Sequence, residues 1–302
     1  MELYMRIISC LLEKVKNLWY NIPVTRKIDN LPEKKEICDM VTIQKYVRAQ
    51  SLDEAYKLNQ SKRNRIIGGM MWTRLGKNSI GTAIDLCDLG LDRIEETDGE
   101  FSIGAMATLR ALETHEGLNV FTANAVKHAV GDIVGVQFRN MATLGGSLWG
   151  RFGFSDVLTV FLAMDSYVEL YRGGIIPLEE FANMPHDRDI LVRLIVKKTP
   201  LSVVYTAVRN QRTDFPVLAC AVSQTNGEYR AVIGARPSRA MIVRDEDGLL
   251  CGGITEDSAK RFAAYAAEKT PTASNLRGSA EYRSHLVRVL TERALTALGG
   301  NK

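Results

Sequence analysis

Cysteine is scarce and scattered in this chain of 302 residues. The five cysteines are Cys10, Cys38, Cys87, Cys220 and Cys251, and none of them belongs to a C-x-x-C pair. Their spacing matches no zinc or iron–sulfur signature, so we expect the chain to hold no metal. Isolated cysteines in apolar settings are typical of small core residues in a reducing compartment, which predicts a cytoplasmic protein.

Two further absences argue against a membrane-spanning protein and against a nucleic-acid-binding protein. The sequence has no run of eighteen apolar residues, so no transmembrane segment is expected. The net charge is only +4, and the Lys and Arg residues are not gathered into a stripe, so we expect no nucleic-acid partner. The remaining composition, 46% hydrophobic and 25% charged, is that of a globular protein long enough for two domains.

The first 39 residues have a pattern of their own. Apolar residues between Ile8 and Trp19 recur near helical spacing and predict an amphipathic helix, whose apolar face we expect to dock on protein. The run is too short for a secretory signal and no cleavage site follows it. The polar stretch that contains Pro23 and Pro32 indicates a linker. Residues 1–39 are therefore predicted to be an N-terminal extension.

From Met40 onward, strand and helix patterns mix. A strand at VTIQKYVRA leads into a helix with a capping box, Ser51 and Glu54. After Leu201 three alternating strands, the last two joined by a turn at Asn226-Gly227, precede two helices. We predict an α+β protein with domains at residues 40–199 and 200–302.

The first glycine pair ends a short apolar strand in RIIGGMM, residues 65–71. Because Gly68 and Gly69 carry no side chains, successive backbone N–H groups could cradle a diphosphate. The stretch lacks the G-x-G-x-x-G of a Rossmann site and the Lys-Ser/Thr of a P-loop. A plain β-turn is the alternative interpretation.

The second glycine pair, Gly145-Gly146, lies in QFRNMATLGGSLWGRFGFSD, residues 137–156. This stretch follows neither helical nor strand periodicity, which predicts a loop held over a ligand and not a helix. Two glycine bends from separate segments could embrace one diphosphate, and the Thr108 hydroxyl could reach the same ligand. Helix capping is the alternative for Thr108 and for Asp156. The nearby aromatic residues, Trp72, Trp149 and Phe152, could shield a ring or simply pack beneath the loop.

In this order, Gly68-Gly69, IGA-x-x-T (103–108), Q-x-R-N-x-A-T-x-G-G (137–146) and Asp156 resemble the FAD-binding (medium) subunit of the xanthine dehydrogenase and carbon monoxide dehydrogenase family of molybdenum hydroxylases. ARPSRA (235–240) and the segment with Arg277, Ser279, Tyr282 and Arg283 extend the resemblance to the C-terminus. The glycine motif at 137–146 is the most specific of these.

The resemblance implies a p-cresol-methylhydroxylase-type FAD-binding domain of two subdomains, followed by a C-terminal domain, for which the pattern predicts a three-stranded antiparallel sheet and helices. It also implies FAD as cofactor, a molybdopterin-binding large subunit and an iron–sulfur small subunit as partners, and NAD or another electron acceptor. No residue of this chain is implied to be catalytic. Carried over by position, the cofactor-binding residues are Arg65, Ile66, Ile67, Gly68, Gly69, Met70, Met71, Thr108, Ala142, Thr143, Leu144, Gly145, Gly146, Asp156, Ile190 and Tyr205.

Four positions depart from the family pattern. Met70 and Met71 replace Thr and Asp, Ser147 replaces Asn, and Tyr205 stands where a Lys near the flavin is frequent. A tyrosine could cover a flavin but supplies no positive charge. These departures keep open a flavin-free assembly or scaffold subunit. A stand-alone FAD oxidoreductase of the same fold is the other alternative, and it would need its own acids and bases beside the flavin.

Overall fold

The computed structural model describes residues 40–300, and the predicted N-terminal helix and linker lie outside these residues. The described part contains twelve strands and ten α-helices. The strands are β1 (Thr42–Arg48), β2 (Arg65–Ile67), β3 (Ser79–Asp85), β4 (Ile94–Glu96), β5 (Glu100–Gly104), β6 (Ser166–Leu170), β7 (Gly174–Pro177), β8 (Leu191–Lys197), β9 (Leu201–Arg209), β10 (Pro216–Thr225), β11 (Glu228–Gly234) and β12 (Met241–Arg244). The helices are α1 (Leu52–Asn59), α2 (Leu109–Thr114), α3 (Glu116–Phe121), α4 (Ala125–Gly131), α5 (Val136–Arg139), α6 (Leu144–Gly150), α7 (Asp156–Leu162), α8 (Leu178–Asn183), α9 (Glu256–Lys269) and α10 (Ala280–Gly300).

The first sheet is small and parallel, in the order β1-β3-β2. Helix α1 connects β1 to β2 and begins at the predicted cap, where the Ser51 side chain accepts from the Glu54 N–H at 3.1 Å. The Glu54 carboxylate in turn accepts from the Gln50 N–H at 2.8 Å, one residue before the cap. Strand β2 ends at Ile67, which places the first glycine pair at the carboxyl edge of this sheet.

The second sheet is antiparallel, in the order β4-β5-β8-β6-β7. Its inner face carries Phe101 and Ile103, which are fully buried in the largest hydrophobic core. Side chains of the intervening helices fill the same core, among them Leu112, Phe161 and Phe181. Helices thus cover one face of this sheet, and Leu144 and Leu148 of α6 are buried in the same core.

The third sheet, β12-β11-β10-β9, has four antiparallel strands. The three predicted strands and their Asn226-Gly227 turn are present, and both turn residues have positive φ, 50° and 83°. Strand β12 was not predicted, because four residues are too few to show alternation. It pairs with β11 from Met241 to Arg244.

Successive residues of β10 point to opposite faces of this sheet, as strand geometry requires. Ala219 and Ala221 face the large core that α7 shares, whereas Cys220 and Val222 face a second core that α9 and α10 cover. The C-terminal sheet is therefore buried on both faces, and one of its faces is continuous with the core beneath the second glycine segment. The domain boundary near residue 200 stays a prediction.

The predicted loop at residues 137–156 is wrong in part, because it contains the short helices α5 and α6. Helix α6 starts directly at the second glycine pair, with Thr143 as its N-cap. Helix α6 has seven residues, three of them glycine, so its sequence shows no helical periodicity. It forms in spite of its low helix propensity because of its N-cap and its surrounding contacts. No helix within residues 40–300 is long and apolar enough to cross a membrane.

Candidate functional site

The first glycine pair lies against residues 141–143, directly before the second pair. A Cβ atom on Gly68 would stand 2.6 Å from the Thr143 Oγ1, and one on Gly69 would overlap the Met141 carbonyl oxygen. Only glycines permit this approach, because any side chain would push the two segments apart. The two glycine segments therefore meet on the same side of the fold, as the sequence predicts.

The first segment offers backbone donors. Within residues 40–300, the N–H groups of Gly69, Met70 and Met71 donate to no other protein atom. Met70 is held in the left-handed region at φ 56°, a conformation that costs about 1–2 kcal/mol for a residue with a side chain. The buried Met71 side chain anchors the bend in the large core. Strained, anchored backbone with free N–H groups is typical of an anion-binding bend.

In the second segment, by contrast, the four N–H groups from Leu144 to Ser147 donate within the protein. The Leu144 N–H donates to the Ala107 carbonyl at 2.8 Å and the Gly145 N–H to the Ala105 carbonyl at 2.7 Å. The next two N–H groups, of Gly146 and Ser147, bond to the side chain and the carbonyl of Thr143. A Cβ on Gly145 would stand 2.6 Å from the Ala105 oxygen, so this glycine is required by packing within the protein.

Thr108 and Thr143 bring two hydroxyl groups to this junction. The two residues form an isolated antiparallel bridge, and each caps a helix through its Oγ1, which accepts from the Ala111 and Gly146 N–H groups respectively. The capping alternative for Thr108 is therefore confirmed. A hydroxyl that accepts a capping bond keeps its own proton, so both threonines can still donate to an anion.

Asp156 and Tyr205 form a separate buried group with Arg209. The Tyr205 hydroxyl donates to the Asp156 Oδ1, and the Arg209 Nη2 lies 2.9 Å from the same oxygen. Burial raises the pKa of Asp156 and is opposed by the Arg209 charge and by both hydrogen bonds. Burial and the Asp156 charge raise the pKa of Tyr205 well above its usual range. The cap of helix α7 is Ser155, not Asp156.

The remaining predicted residues lie beneath the surface or beside the bend. Ile190 is 1% exposed, its N–H donates to the Asp189 carboxylate, and its carbonyl accepts from the Tyr171 N–H. Ile66 packs against the same core cluster as Ile190, beneath the first sheet. Ile67 is buried in a small cluster that includes Ile80 and Ala83, Ala142 is buried in the large core, and Arg65 is exposed. Direct contacts of these residues with a cofactor stay predictions.

Four aromatic side chains form a cluster, and it includes residues that follow each glycine pair in the sequence. Trp72 stands 5.6 Å from Phe152, 5.5 Å from Phe154 and 5.6 Å from Phe215 between ring centroids, and it stacks on Phe215 with an interplanar angle of 27°. Trp149 is not part of this cluster, because it packs against Phe181.

An open pocket of about 430 Å³ borders the aromatic cluster. Its lining residues are Trp72, Gly153, Phe154, Phe215, Pro216, Ala235, Pro237, Ser238, Arg239, Asn275 and Arg277. The sequence alone pointed to Trp72 and Phe152. Phe154 and Phe215 belong to no motif, and only the family resemblance points to the ARPSRA and Arg277 segments.

Comparison with known proteins identifies the family of this chain. Residues 40–199 match the model of the "FAD binding domain in molybdopterin dehydrogenase", and residues 203–298 match the "CO dehydrogenase flavoprotein C-terminal domain". The chain is 25% identical over 253 residues to the protein YgfM of Escherichia coli K12, covering 82% of this chain and 93% of that protein. It is 24% identical over 272 residues to the glyceraldehyde dehydrogenase medium chain of Sulfolobus acidocaldarius, covering 82% and 96%.

Solved structures show the same fold. Quinoline 2-oxidoreductase from Pseudomonas putida 86 superposes with a TM-score of 0.75 at 19% identity, over 86% of this chain and 98% of that chain. Carbon monoxide dehydrogenase from Hydrogenophaga pseudoflava gives 0.75 at 20% identity, over 84% and 96%. The α+β architecture expected from the resemblance is therefore confirmed. The model of the FAD-binding domain matches more than half of the chain. The protein therefore belongs to the family of FAD-binding domains in molybdopterin dehydrogenases, and its cofactor is FAD.

Proposed function

We propose that this chain is the FAD-carrying electron-transfer subunit of a multi-subunit molybdenum hydroxylase. Electrons would arrive from iron–sulfur clusters on a small partner subunit and leave to NAD or another soluble acceptor. The substrate would be oxidised on a separate molybdopterin-binding large subunit. The contact between the two glycine segments, which leaves free amides beside an aromatic pocket, is the observation that carries this proposal.

The residues at the junction fit the cofactor. A diphosphate is an anion that accepts hydrogen bonds, and the N–H groups of Gly69, Met70 and Met71 are free to donate to it. The hydroxyl protons of Thr108 and Thr143 add two donors beside the same bend. Met70 and Met71 replace the side chains usual at these positions, but backbone donors do not depend on side-chain identity.

When bound, FAD supplies electron transfer in single electrons or as a hydride, and the chain's own residues have a supporting task. The first glycine bend would hold the phosphates, and Trp72 would exclude water from one side of the pocket. The hydrogen bonds among Asp156, Tyr205 and Arg209 join helix α7 to strand β9. None of these tasks requires a general acid or base.

Relatives support the partner assignment. The S. acidocaldarius relative is named a medium chain, and a protein of Paenarthrobacter nicotinovorans named the alpha subunit of the 6-hydroxypseudooxynicotine dehydrogenase complex is 25% identical over 278 residues. These names describe members of complexes. We therefore propose a hetero-oligomer in which this chain contributes neither the molybdenum site nor the iron–sulfur clusters.

Copurification from the native cell tests the assembly. We expect two partner chains, one with molybdopterin and one with iron–sulfur clusters, together with a flavin absorption band. The isolated chain should reduce an artificial dye with NADH but should not oxidise the substrate of the complex. A colourless chain that still copurifies with both partners would support the flavin-free scaffold alternative instead. Substrate oxidation by the isolated chain would support a stand-alone oxidoreductase.

The glycine contact can be tested in the purified chain. In Gly69→Ala the new methyl group overlaps the Met141 oxygen and separates the segments, so we expect at least a tenfold weaker affinity for FAD, or about 1.4 kcal/mol. Gly252→Ala is the matched control, because no atom lies within 4 Å of a Cβ there and its φ is not positive. Thermal unfolding would separate a site effect from global misfolding. Equal FAD affinity in both variants would contradict the proposed site.

A further inference from the structure

Arg151 is a buried arginine beside the end of helix α8. The residue is 4% exposed, and its guanidinium carbon lies 4.0 Å from the ring centroid of Phe181 and 5.6 Å from that of Trp149. Its Nη1 donates to the Met184 carbonyl at 2.6 Å, whereas its buried Nε has no hydrogen-bond partner. Because an unpaired buried donor costs free energy, the unused Nε of Arg151 points to a ligand acceptor.

Arg239 brings a second guanidinium to the same helix end. Its Nη1 lies 3.2 Å from the carbonyl oxygens of Ala182 and Asn183, the last two residues of α8. The carbonyl groups at the end of a helix together carry a charge of only about −0.5. They therefore offset a small part of the two positive charges of Arg151 and Arg239.

Counter-ions for these arginines are scarce. Within residues 40–300, Asp187 is the carboxylate whose charge attracts Arg151, and this attraction is smaller than the repulsion from Arg239. The Asp187 carboxylate also accepts from the Asp189 N–H at 3.0 Å. Burial and the repulsion from Arg239 lower the pKa of Arg151. The end of α8 therefore has an excess of positive charge.

His186 lies exposed on the loop that follows α8. Its ring centroid is 6.4 Å from that of Trp149. Partial burial and the charges of Arg151 and Arg239 lower the pKa of His186 below its usual 6.5, and the Asp187 charge opposes them. Both guanidinium groups thus act on the imidazole, and an anion bound beside all three groups would reverse this effect.

The loop that carries His186 is fixed at both ends. Before it, Phe181 and Ala182 of α8 are buried in the large core. After it, Arg188 donates to the carbonyls of four residues that precede β2, which are Asn59, Ser61, Lys62 and Asn64. Groups that are held in place before a ligand arrives bind it more tightly, because less ordering accompanies binding.

We propose that Arg151, Arg239 and His186 form a binding site for a phosphate group at the end of α8. The planar fork of a guanidinium group matches the oxygens of a phosphate. A phosphate carries about two negative charges near neutral pH and offsets both arginines, whereas a carboxylate offsets one. The site shares no residue with the first glycine bend, and it does not rest on the proposed function.

The test follows His186 in the full chain by NMR while inorganic phosphate is added at constant ionic strength. His186→Asn identifies its signals among those of the four histidines. We expect phosphate to raise the pKa of His186 toward 6.5, because a bound anion offsets the two arginine charges. Phenyl phosphate is the second probe. Tighter binding than that of the free ion would identify a phosphorylated molecule as the ligand, and weaker binding would identify inorganic phosphate.

Arg151→Gln and Arg239→Gln each remove one charge from the site, and we expect either to weaken phosphate binding about tenfold. Arg261→Gln is the matched control, because it removes one charge from the exposed face of α9 and should leave binding unchanged. Gly69→Ala should also bind phosphate like wild type, which separates this site from the glycine bend. Thermal unfolding monitors folding, and the less buried Arg239 keeps the test decisive if Arg151→Gln does not fold.

Three results would overturn the proposal. They are a pKa of His186 that does not change with phosphate, wild-type phosphate affinity in Arg239→Gln, and an equal loss of affinity in Arg261→Gln or Gly69→Ala. None of them bears on FAD binding, which is measured separately.

Discussion

The buried group around Asp156 should be one of the most sensitive points of the fold. Asp156→Asn removes the negative charge but preserves the size of the side chain. The guanidinium of Arg209, whose side chain is only 8% exposed, would then be left without its counter-ion. Breaking a buried ion pair from one side costs about 3–5 kcal/mol. For a unit of this size, that lowers the melting temperature by roughly 6–20 °C, at about 2–4 °C per kcal/mol.

Circular dichroism during heating and urea unfolding measure this loss. Tyr205→Phe is the graded comparison, because it removes only the hydroxyl that donates to Asp156 and should cost about 1.5–3 kcal/mol. The double variant Asp156→Asn/Arg209→Gln removes both charges, so its loss should be smaller than the sum of the single losses. Stability within about 1 kcal/mol of wild type for Asp156→Asn, or strictly additive losses in the double variant, would refute the reasoning.

Two further predictions concern the surroundings of the second glycine segment. Burial alone would raise the pKa of Glu113, but hydrogen bonds from Arg139 and Arg110 outweigh it, so the pKa lies below the usual 4.5. The stability that these hydrogen bonds contribute is present above the pKa of Glu113 in the unfolded chain and is lost as the pH falls through its pKa in the folded protein. Glu113→Gln should therefore flatten the acid limb of a stability-versus-pH curve. The slope of the neutral region should stay as in wild type. Val134 is 47% exposed and has φ 50°, which a β-branched residue adopts at a cost of about 1–2 kcal/mol. Val134→Gly should therefore raise the free energy of unfolding by about 0.5–1 kcal/mol after the entropy of glycine is subtracted, and an equal or lower value in urea unfolding would contradict the strain.

Regular elements with a long or capped pattern were predictable from the sequence. The alternation of β9, β10 and β11 and the Ser51 cap of α1 follow from local chemistry and appear in the structure. Strand β12 and helix α6 were not predictable, because they are too short for a period and form through pairing and capping. Pattern reasoning therefore worked where the chain's own local preferences decide the conformation.

The candidate site, like the fold, is predictable from the sequence only in part. The meeting of the two glycine segments is predictable from their glycine motifs and from the family resemblance. The hydrogen bonds that the Leu144 and Gly145 N–H groups donate are not predictable, because their acceptors, the Ala107 and Ala105 carbonyls, belong to a different segment. The positions of Phe215 and Arg277 depend likewise on how the third sheet packs, which no local motif encodes. Contacts between distant segments are decided by tertiary packing.

The overlap between a side chain at position 69 and the Met141 oxygen has an evolutionary consequence. Selection would keep glycine there in any descendant that retains the fold, including one that has lost its flavin, because the constraint comes from neighbouring backbone. A glycine pair in a related sequence therefore reports that the two segments meet. The record of cofactor loss should be sought instead among residues that only a ligand holds constant.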